Sequence, residues 1–190
     1  MGQERVLIGI CGGIAAYKSA MLVSQLAQAG HQVRVVMTES AKEFIGEATL
    51  MALSGQPVVS NMFDQAFPLG PHIELARWAE VFCIAPATAN FLAKAAGGTA
   101  DDLLSTLYLC FEGPLLIAPA MNCEMWDKPA VRRNVQQLRD DGAELIDPQE
   151  GWLSCRVKGL GRMAEPATIV TAIESALVRS RNITKRSSAK

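Results

Sequence analysis

Residues 5–18 read RVLIGICGGIAAYK, and this stretch decides the fold. It joins a short apolar run, two consecutive glycines and the start of a helical pattern that continues to residue 29. An almost continuously apolar run is typical of a strand that is covered on both faces. Glycines between a strand and a helix let a ligand approach the backbone closely. The stretch therefore predicts the first strand–turn–helix unit of an α/β protein.

The same alternation of apolar runs and helical patterns continues along the chain. Further strands are predicted at residues 32–37, 81–85, 114–118 and 144–146. Helices are predicted at residues 14–29, 47–54, 88–96, 101–111, 129–141 and 166–178, and residues 54–71 are predicted as a loop. This order indicates a doubly wound, Rossmann-like or flavodoxin-like parallel sheet with helices on both faces.

Composition limits the class of protein. The chain has 190 residues, of which 49% are hydrophobic and 19% charged, and we expect one domain over residues 1–178. With 18 Lys and Arg against 19 Asp and Glu, the near-neutral balance argues against a nucleic-acid partner. Residues 179–190 contain five basic residues and no acidic ones. They are predicted to form a basic, disordered tail.

Cysteine usage and hydropathy favour a cytoplasmic protein. No apolar run approaches the roughly 18 residues that a transmembrane helix needs, so no membrane partner is expected. The first apolar run is too short for a signal peptide and leads directly into glycines. Cysteines at positions 11, 83, 110, 123 and 155 form no CxxC motif and are odd in number. Neither a disulfide framework nor a metal site is expected.

Ligands of doubly wound sheets bind beyond the carboxyl ends of the strands. After the first strand, Gly12 and Gly13 precede a helix whose free N–H groups suit an anion. The spacing matches neither GxGxxG nor the P-loop, so mononucleotide, dinucleotide and simple packing turn all remain open. After the second strand, the hydroxyls of Thr38 and Ser40 are suited to capping a helix or binding phosphate, whereas Glu39 is suited to a ribose.

The later strand ends carry further candidates. Thr88 and Asn90 follow the third strand, where they either cap a helix or contact a flat ring. The fourth strand runs into residues 119–126, PAMNCEMW, which indicate an apolar pocket with Asn122 as its polar group. The glycine-rich residues 151–163 predict a mobile flap that carries Cys155.

One cysteine and two histidines have side chains that can be either reactive or structural. Arg156 and Lys158 favour the thiolate of Cys155, and an inert loop cysteine is the alternative. His31 is expected at the surface. His72 is the candidate base near the strand ends, and a purely structural histidine is the alternative.

Five motifs together resemble one family over roughly residues 4–178. They are CGGIAAYK at 11–18, PATAN at 86–90, KAAGGTADDLLS at 94–105, PAMNCEMW at 119–126 and SCRVKGLGRM at 154–163. The chain is similar to the homo-oligomeric flavin-containing cysteine decarboxylases. The resemblance is strongest to the branch that converts 4′-phosphopantothenoylcysteine to 4′-phosphopantetheine in coenzyme A biosynthesis. Two departures are Phe91, where threonine is usual, and Arg156, where glycine is usual.

The resemblance implies FMN at a subunit interface of a trimer or dodecamer, and a reaction through a thioaldehyde that ends with re-reduction by the flavin. It makes His72 the active-site base, Asn122 the clamp on the substrate carboxylate and Cys155 the proton donor. The implied FMN contacts are Gly12, Gly13, Ile14, Thr38, Ser40, Phe44, Thr88, Ala89, Asn90, Phe91 and Ala120. The implied substrate contacts are Asn122, Met125, Trp152, Leu153 and Ser154.

Other members of the wider group define the alternatives. A peptidyl-cysteine decarboxylase would release the oxidised enethiol, and the presence of Cys155 favours the reductive outcome instead. An FMN-binding regulatory subunit is a second alternative, although such relatives tend to lack a catalytic residue and this chain has His72, Asn122 and Cys155. The flavin prenyltransferase branch shares the fold but lacks the PAMNxxMW pocket.

Overall fold

The computed structural model describes residues 3–187 and contains a six-stranded parallel sheet. The strands are β1 (Arg5–Ile10), β2 (Gln32–Met37), β3 (Val58–Val59), β4 (Val81–Ala87), β5 (Leu115–Pro119) and β6 (Glu144–Leu145). Their order in the sheet is β3-β2-β1-β4-β5-β6. The chain reverses direction across the sheet between β1 and β4, so the gap beyond their carboxyl ends is the switch point where ligands bind.

Helices cover both faces of the sheet, and the predicted α/β class is confirmed. They are α1 (Ala16–Gln28), α2 (Glu47–Ser54), α3 (Pro71–Trp78), α4 (Ala89–Ala96), α5 (Leu103–Cys110), α6 (Cys123–Trp126), α7 (Pro129–Asp140) and α8 (Pro166–Ser187). A 3₁₀ helix, Glu39–Glu43, follows β2. In β1, Ile8 packs on the face covered by α1 and α8, whereas Leu7 packs on the face covered by α3, α4, α5 and α7. Both faces of β1 are therefore buried, as its apolar sequence predicts.

A separate antiparallel hairpin follows the main sheet. Its strands are β7 (Gln149–Trp152) and β8 (Lys158–Arg162), which pair through Trp152 and Lys158 at the closed end. The hairpin occupies the region that the sequence predicts as a non-periodic flap. We call residues 149–162 the hairpin and residues 153–157 its tip.

The predicted end of the last helix is wrong. Helix α8 does not stop at residue 178, and its backbone continues to Ser187 through most of the segment predicted as a disordered tail. Two ion pairs fix the continuation to the amino-end rim of the sheet: Arg179 with Glu144, and Arg181 with Glu4. Their attraction opposes the fraying that a terminal basic segment otherwise favours. Residues 188–190 of the predicted tail lie outside the described residues.

His31, predicted at the surface, is 8% exposed. The link from α1 to β2 folds inward because the His31 N–H donates to the Leu26 carbonyl oxygen at 3.1 Å. Across residues 3–187, no helix has the length and apolar character needed to cross a membrane. The same residues contain no group of three or more His, Cys, Asp or Glu side chains arranged to hold a metal ion.

Candidate active site

A cavity of about 490 Å³ lies beyond the carboxyl ends of β1, β4 and β5. Its walls come from the turn after β1, the start of α4, residues 119–122 (the PAMN segment) and the hairpin. These four segments are far apart in the sequence. The predicted site residues that line it are Gly12, Gly13, Ile14, Ser40, Thr88, Ala89, Asn90, Ala120, Asn122, Met125, Trp152, Leu153 and Ser154. The predicted site residues that do not line it are Thr38, Phe44, His72, Phe91 and Cys155.

The turn after β1, residues 11–15, is a backbone cradle, and we call it the glycine turn. A Cβ atom on Gly12 would lie 2.4 Å from Ser40 Oγ and 2.6 Å from the Ser40 carbonyl carbon. On Gly13 it would meet only Thr88 Cγ2, at 3.6 Å. The N–H groups of Gly12, Gly13 and Ile14 find no backbone acceptor within the described residues. Free amides at the start of the 13-residue helix α1 suit an anionic group.

The polar side chains after β2 differ in their contacts and in whether they face the cavity. The hydroxyls of Thr38 and Ser40 lie 3.2 Å apart and hydrogen-bond to each other. Ser40 faces the cavity, whereas Glu39 pairs with Lys42 at 3.0 Å and is 78% exposed. Glu39 does not line the cavity, so the ribose role considered for it is not supported.

Thr88 caps a helix and also lies at the cavity. Its Oγ1 accepts a hydrogen bond from the Phe91 N–H at 3.3 Å, which caps α4, and the residue also lines the cavity. Phe91 itself is 3% exposed and packs edge-on against Tyr108, with ring centroids 5.9 Å apart. The expectation that Phe91 contacts the cofactor is therefore not met by its ring, because an apolar ring gains more by burial in the core.

Asn122 is held by the start of α6. Its Oδ1 accepts a hydrogen bond from the Met125 N–H at 2.9 Å, which fixes the orientation of the side-chain amide. Its Nδ2 donates to the Glu124 carboxylate. Asn122 and Met125 both line the cavity. The amide therefore presents a donor that already binds a carboxylate.

The hairpin closes one side of the cavity. The Met121 N–H donates to the Gly161 carbonyl oxygen at 3.0 Å, which ties β8 to the PAMN segment. At the tip, the Leu153 N–H donates to the Val157 carbonyl oxygen at 2.9 Å. Cys155 is exposed on this tip, and Arg156 has a φ of 65°. A left-handed backbone at Arg156 explains why glycine suits that position.

His72 lies at the start of α3 and outside this cavity. Its Nδ1 is buried and has no hydrogen-bond partner within the described residues. Its ring packs on Gly70, where an added Cβ would lie 3.0 Å from His72 Cε1. One chain thus brings Asn122 into the cavity without His72 or Cys155.

Sequence reasoning missed Lys18. Its side chain is 4% exposed, and its Nζ donates to the Met163 carbonyl oxygen at 2.8 Å and to Glu165 Oε1 at 3.0 Å. Arg162 donates to the same Glu165 oxygen at 2.8 Å. Lys18 and Arg162 both line the cavity and give it two cationic groups. The sequence signal that could have identified Lys18 is its position as a charged residue shortly after the two glycines, in a first helical turn with no other charged residue.

Comparisons with known proteins agree with this architecture. A family model described as Flavoprotein matches residues 1–178. The coenzyme A biosynthesis bifunctional protein CoaBC of Bacillus subtilis (strain 168) is 46% identical over 175 residues, covering 92% of this chain and 43% of that protein. CoaBC of Mycobacterium tuberculosis (strain ATCC 25618 / H37Rv) is 46% identical over 176 residues, covering 93% and 42%. The chain spans less than half the length of these relatives.

Two solved structures share the fold closely. The FMN-dependent cysteine decarboxylase SpaF has a TM-score of 0.82 at 40% identity, covering 94% of this chain and 98% of that chain. A PPC decarboxylase mutant complexed with pantothenoylaminoethenethiol has a TM-score of 0.84 at 33% identity, covering 91% and 97%. The predicted resemblance is confirmed, and the chain belongs to the Flavoprotein family.

Proposed function

We propose that this chain is a phosphopantothenoylcysteine decarboxylase that binds FMN and converts 4′-phosphopantothenoylcysteine to 4′-phosphopantetheine and CO₂. The similarity to two CoaBC proteins and to a PPC decarboxylase supports the substrate class. The observation that carries the proposal is that Asn122, at the wall of the cavity, donates from Nδ2 to a carboxylate, that of Glu124. A decarboxylase must hold the carboxylate that it removes.

The residues of the cavity fit FMN. The free amides of Gly12, Gly13 and Ile14 would hold the phosphate, with the Ser40 hydroxyl beside them. Ala89, Asn90 and Ala120 would border the ring, because their short side chains leave the backbone open. The volume of about 490 Å³ lies within the usual range for small-molecule sites, about 300–1,000 Å³.

The chain's own residues supply orientation and proton control. Direct loss of CO₂ from a cysteine amide would leave an unstabilised carbanion. When bound, FMN supplies the reversible oxidation of the thiol-bearing carbon that allows CO₂ to leave. Asn122 orients the carboxylate, since the Met125 N–H holds its Oδ1 and leaves Nδ2 to donate. On the side of the cavity that the hairpin covers, the buried side chain of Leu153 keeps water away, and the exposed ring of Trp152 lies at the edge.

Cys155 is the proposed proton donor for the final step. The thiol lies on the hairpin tip and outside the cavity, so the tip must move inward to deliver its proton. This position is also the observation that favours the second candidate function, a purely oxidative cysteine decarboxylase. In that enzyme the enethiol would leave without a proton from Cys155.

His72 is proposed to act in the cavity of a second copy. The observation that supports this is its position outside the cavity of its own chain. Ile14, Tyr17, Phe44 and Met125 are each between 46% and 57% exposed, and Ile14, Tyr17 and Met125 line the cavity. Exposed apolar side chains at a cavity mark a surface that a partner covers. We infer a homotrimer, or a dodecamer built from trimers, with the site between subunits.

We place this activity in the cytoplasm, where coenzyme A intermediates are made and thiols stay reduced. All five cysteines are free thiols in the structure, which supports that assignment.

Mass spectrometry of the FMN-loaded protein incubated with 4′-phosphopantothenoylcysteine tests the function. The expected product is lighter than the substrate by CO₂ alone. A product lighter by CO₂ and two hydrogens would instead establish the oxidative candidate. Absence of turnover by protein with a flavin absorption spectrum would overturn both and indicate a regulatory subunit.

Mixed oligomers test the shared site. His72→Asn and Asn122→Asp should each be inactive alone, because each removes one essential group from every site. Co-refolded mixtures should regain activity if the two residues of one site come from different chains. Mixtures as inactive as their parents would show that both residues act within one chain.

A further inference from the structure

The side-chain amide of Asn122 already makes two hydrogen bonds before any substrate arrives. Oδ1 accepts from the Met125 N–H at 2.9 Å, and Nδ2 donates to the carboxylate of Glu124, two residues away. The backbone contact fixes the amide, since Asn122 caps α6 and a rotated amide would lose that hydrogen bond. A substrate carboxylate must therefore bind at Nδ2, whose second N–H lies beside the one that donates to Glu124.

Glu124 is held there by little else. It is exposed on the first turn of α6, and no Lys or Arg within residues 3–182 forms an ion pair with it. An exposed, singly hydrogen-bonded carboxylate exchanges readily with another carboxylate, because water solvates it once it is displaced. The Glu124 side chain can therefore leave Asn122 without its carboxylate becoming a buried, unpaired charge.

We propose that Glu124 is an internal competitor for the carboxylate-binding donor of Asn122, displaced by the substrate and restored once CO₂ has left. This inference rests on the proposed function and adds a positioning residue that acts through Asn122. Substrate binding brings a second negative charge next to Glu124, and the repulsion between the two carboxylates favours breaking the Glu124 contact. A product without a carboxylate does neither, so Glu124 weakens substrate binding selectively and leaves product binding nearly unaffected.

Glu124→Ala and Glu124→Gln test the proposal in the FMN-loaded enzyme. Removing the acceptor in Glu124→Ala should lower KM for 4′-phosphopantothenoylcysteine about threefold to tenfold. Glu124→Gln should lower KM less, because a neutral amide oxygen still accepts from Nδ2 but more weakly than a carboxylate. The inhibition constant of 4′-phosphopantetheine should change less than twofold in both variants. A purely structural glutamate would raise KM when replaced, so the sign of the change is diagnostic.

Glu112→Gln is the matched control. Glu112 is also exposed, but it precedes β5 at the opposite end of the sheet, so its loss changes net charge without touching Asn122. Its KM should equal that of the wild type. An equal fall in KM for Glu112→Gln and Glu124→Gln would reduce the effect to long-range charge and overturn the proposal.

Calorimetry gives a readout that does not depend on turnover. The serine analogue of the substrate, with a hydroxyl in place of the thiol, keeps the carboxylate and cannot be oxidised at sulfur. It should bind Glu124→Ala more tightly than wild type by the same factor as the change in KM. Unchanged or weaker binding, in a wild-type enzyme that does turn over the substrate, would overturn the role of Glu124 and leave the proposed function intact. Absence of turnover by the wild type would instead remove the proposed function.

Discussion

The glycine turn and the hairpin tip face the same cavity with opposite physical characters. Cys11 in the glycine turn is 2% exposed, and burial raises the pKa of its thiol to about 12. Cys155 on the hairpin tip is exposed. The turn holds its shape through close backbone contacts, whereas the tip has few contacts beyond its own hydrogen bonds. Rigid backbone suits a permanently bound cofactor, and a loosely held tip suits a substrate that enters and a product that leaves.

The largest expected effect, loss of FMN binding, comes from a substitution in the glycine turn. Gly12→Val should abolish FMN binding, because its Cβ would lie within 2.6 Å of three Ser40 atoms, one of them backbone. Gly13→Ala is the control, since its Cβ has 3.6 Å to the nearest neighbour. Flavin absorbance after reconstitution measures the loss. Normal flavin content in Gly12→Val would show that the turn is not the cofactor cradle.

A smaller effect, on the free energy of unfolding, is expected from removing the contact between α1 and the segment that follows the hairpin. Lys18 joins α1 to the segment after the hairpin through the Met163 carbonyl and Glu165. Lys18→Met should lower the free energy of unfolding by about 2–3 kcal/mol, because the buried carbonyl loses its donor. Lys42→Met removes only an exposed pair with Glu39 and should cost at most about 0.5 kcal/mol. Urea unfolding compares them, and equal losses would contradict the linking role.

Asp102 stabilises α4, which begins at the cavity, through a hydrogen bond from Lys94 of that helix. Burial alone would raise the pKa of its carboxyl, but hydrogen bonds from Lys94 and Ser105 outweigh burial and lower that pKa below its ordinary value. Its contribution to stability is therefore present above the unfolded-state pKa and is lost as pH falls through the folded-state pKa. Asp102→Ala should cost about 1–2 kcal/mol at neutral pH. Urea unfolding should show that this difference shrinks in acid, and a pH-independent difference would contradict the ionic contribution.

The smallest effect should be a gain in the free energy of unfolding from a substitution on the hairpin tip. Arg156 has a left-handed backbone, so Arg156→Gly should stabilise the fold by about 0.5–1 kcal/mol. Arg156→Ala keeps the strain and removes the charge, which separates the two contributions. Thermal unfolding measures both variants. Equal melting temperatures for glycine and alanine would show that strain at this position is negligible.

The sheet could be predicted from sequence because its central strands are buried on both faces. The apolar runs 5–10 and 32–37 coincide with β1 and β2. The two-residue strand β3 and the four-residue helix α6 are too short to show a periodicity. The hairpin escaped prediction as a pair of strands because its residues are mostly exposed and rich in glycine, so alternation of apolar residues is absent.

Candidate site residues could be predicted from sequence where a strand end or a helix cap positions them. They could not where tertiary packing determines which side chains are buried. Gly12, Thr88 and Asn122 follow strands directly, and the topology alone brings strand ends together. The burial of the Phe91 ring and of Lys18 depends on which neighbours pack there, which no local pattern records. Whether His72 serves its own cavity or another chain's depends on assembly, which lies beyond the information in a single chain's pattern.

The way the hairpin is anchored has a consequence for how such enzymes diversify. A Cβ on Gly161 would lie 2.3 Å from the Met121 carbonyl oxygen, and one on Gly159 would lie 2.8 Å from Cys123 Cβ. These two glycines let the base of the hairpin pack closely on Met121 and on the start of α6, whereas residues 154–157 are exposed. The tip can therefore change in length or sequence while the base of the hairpin and the sheet beneath it keep their packing.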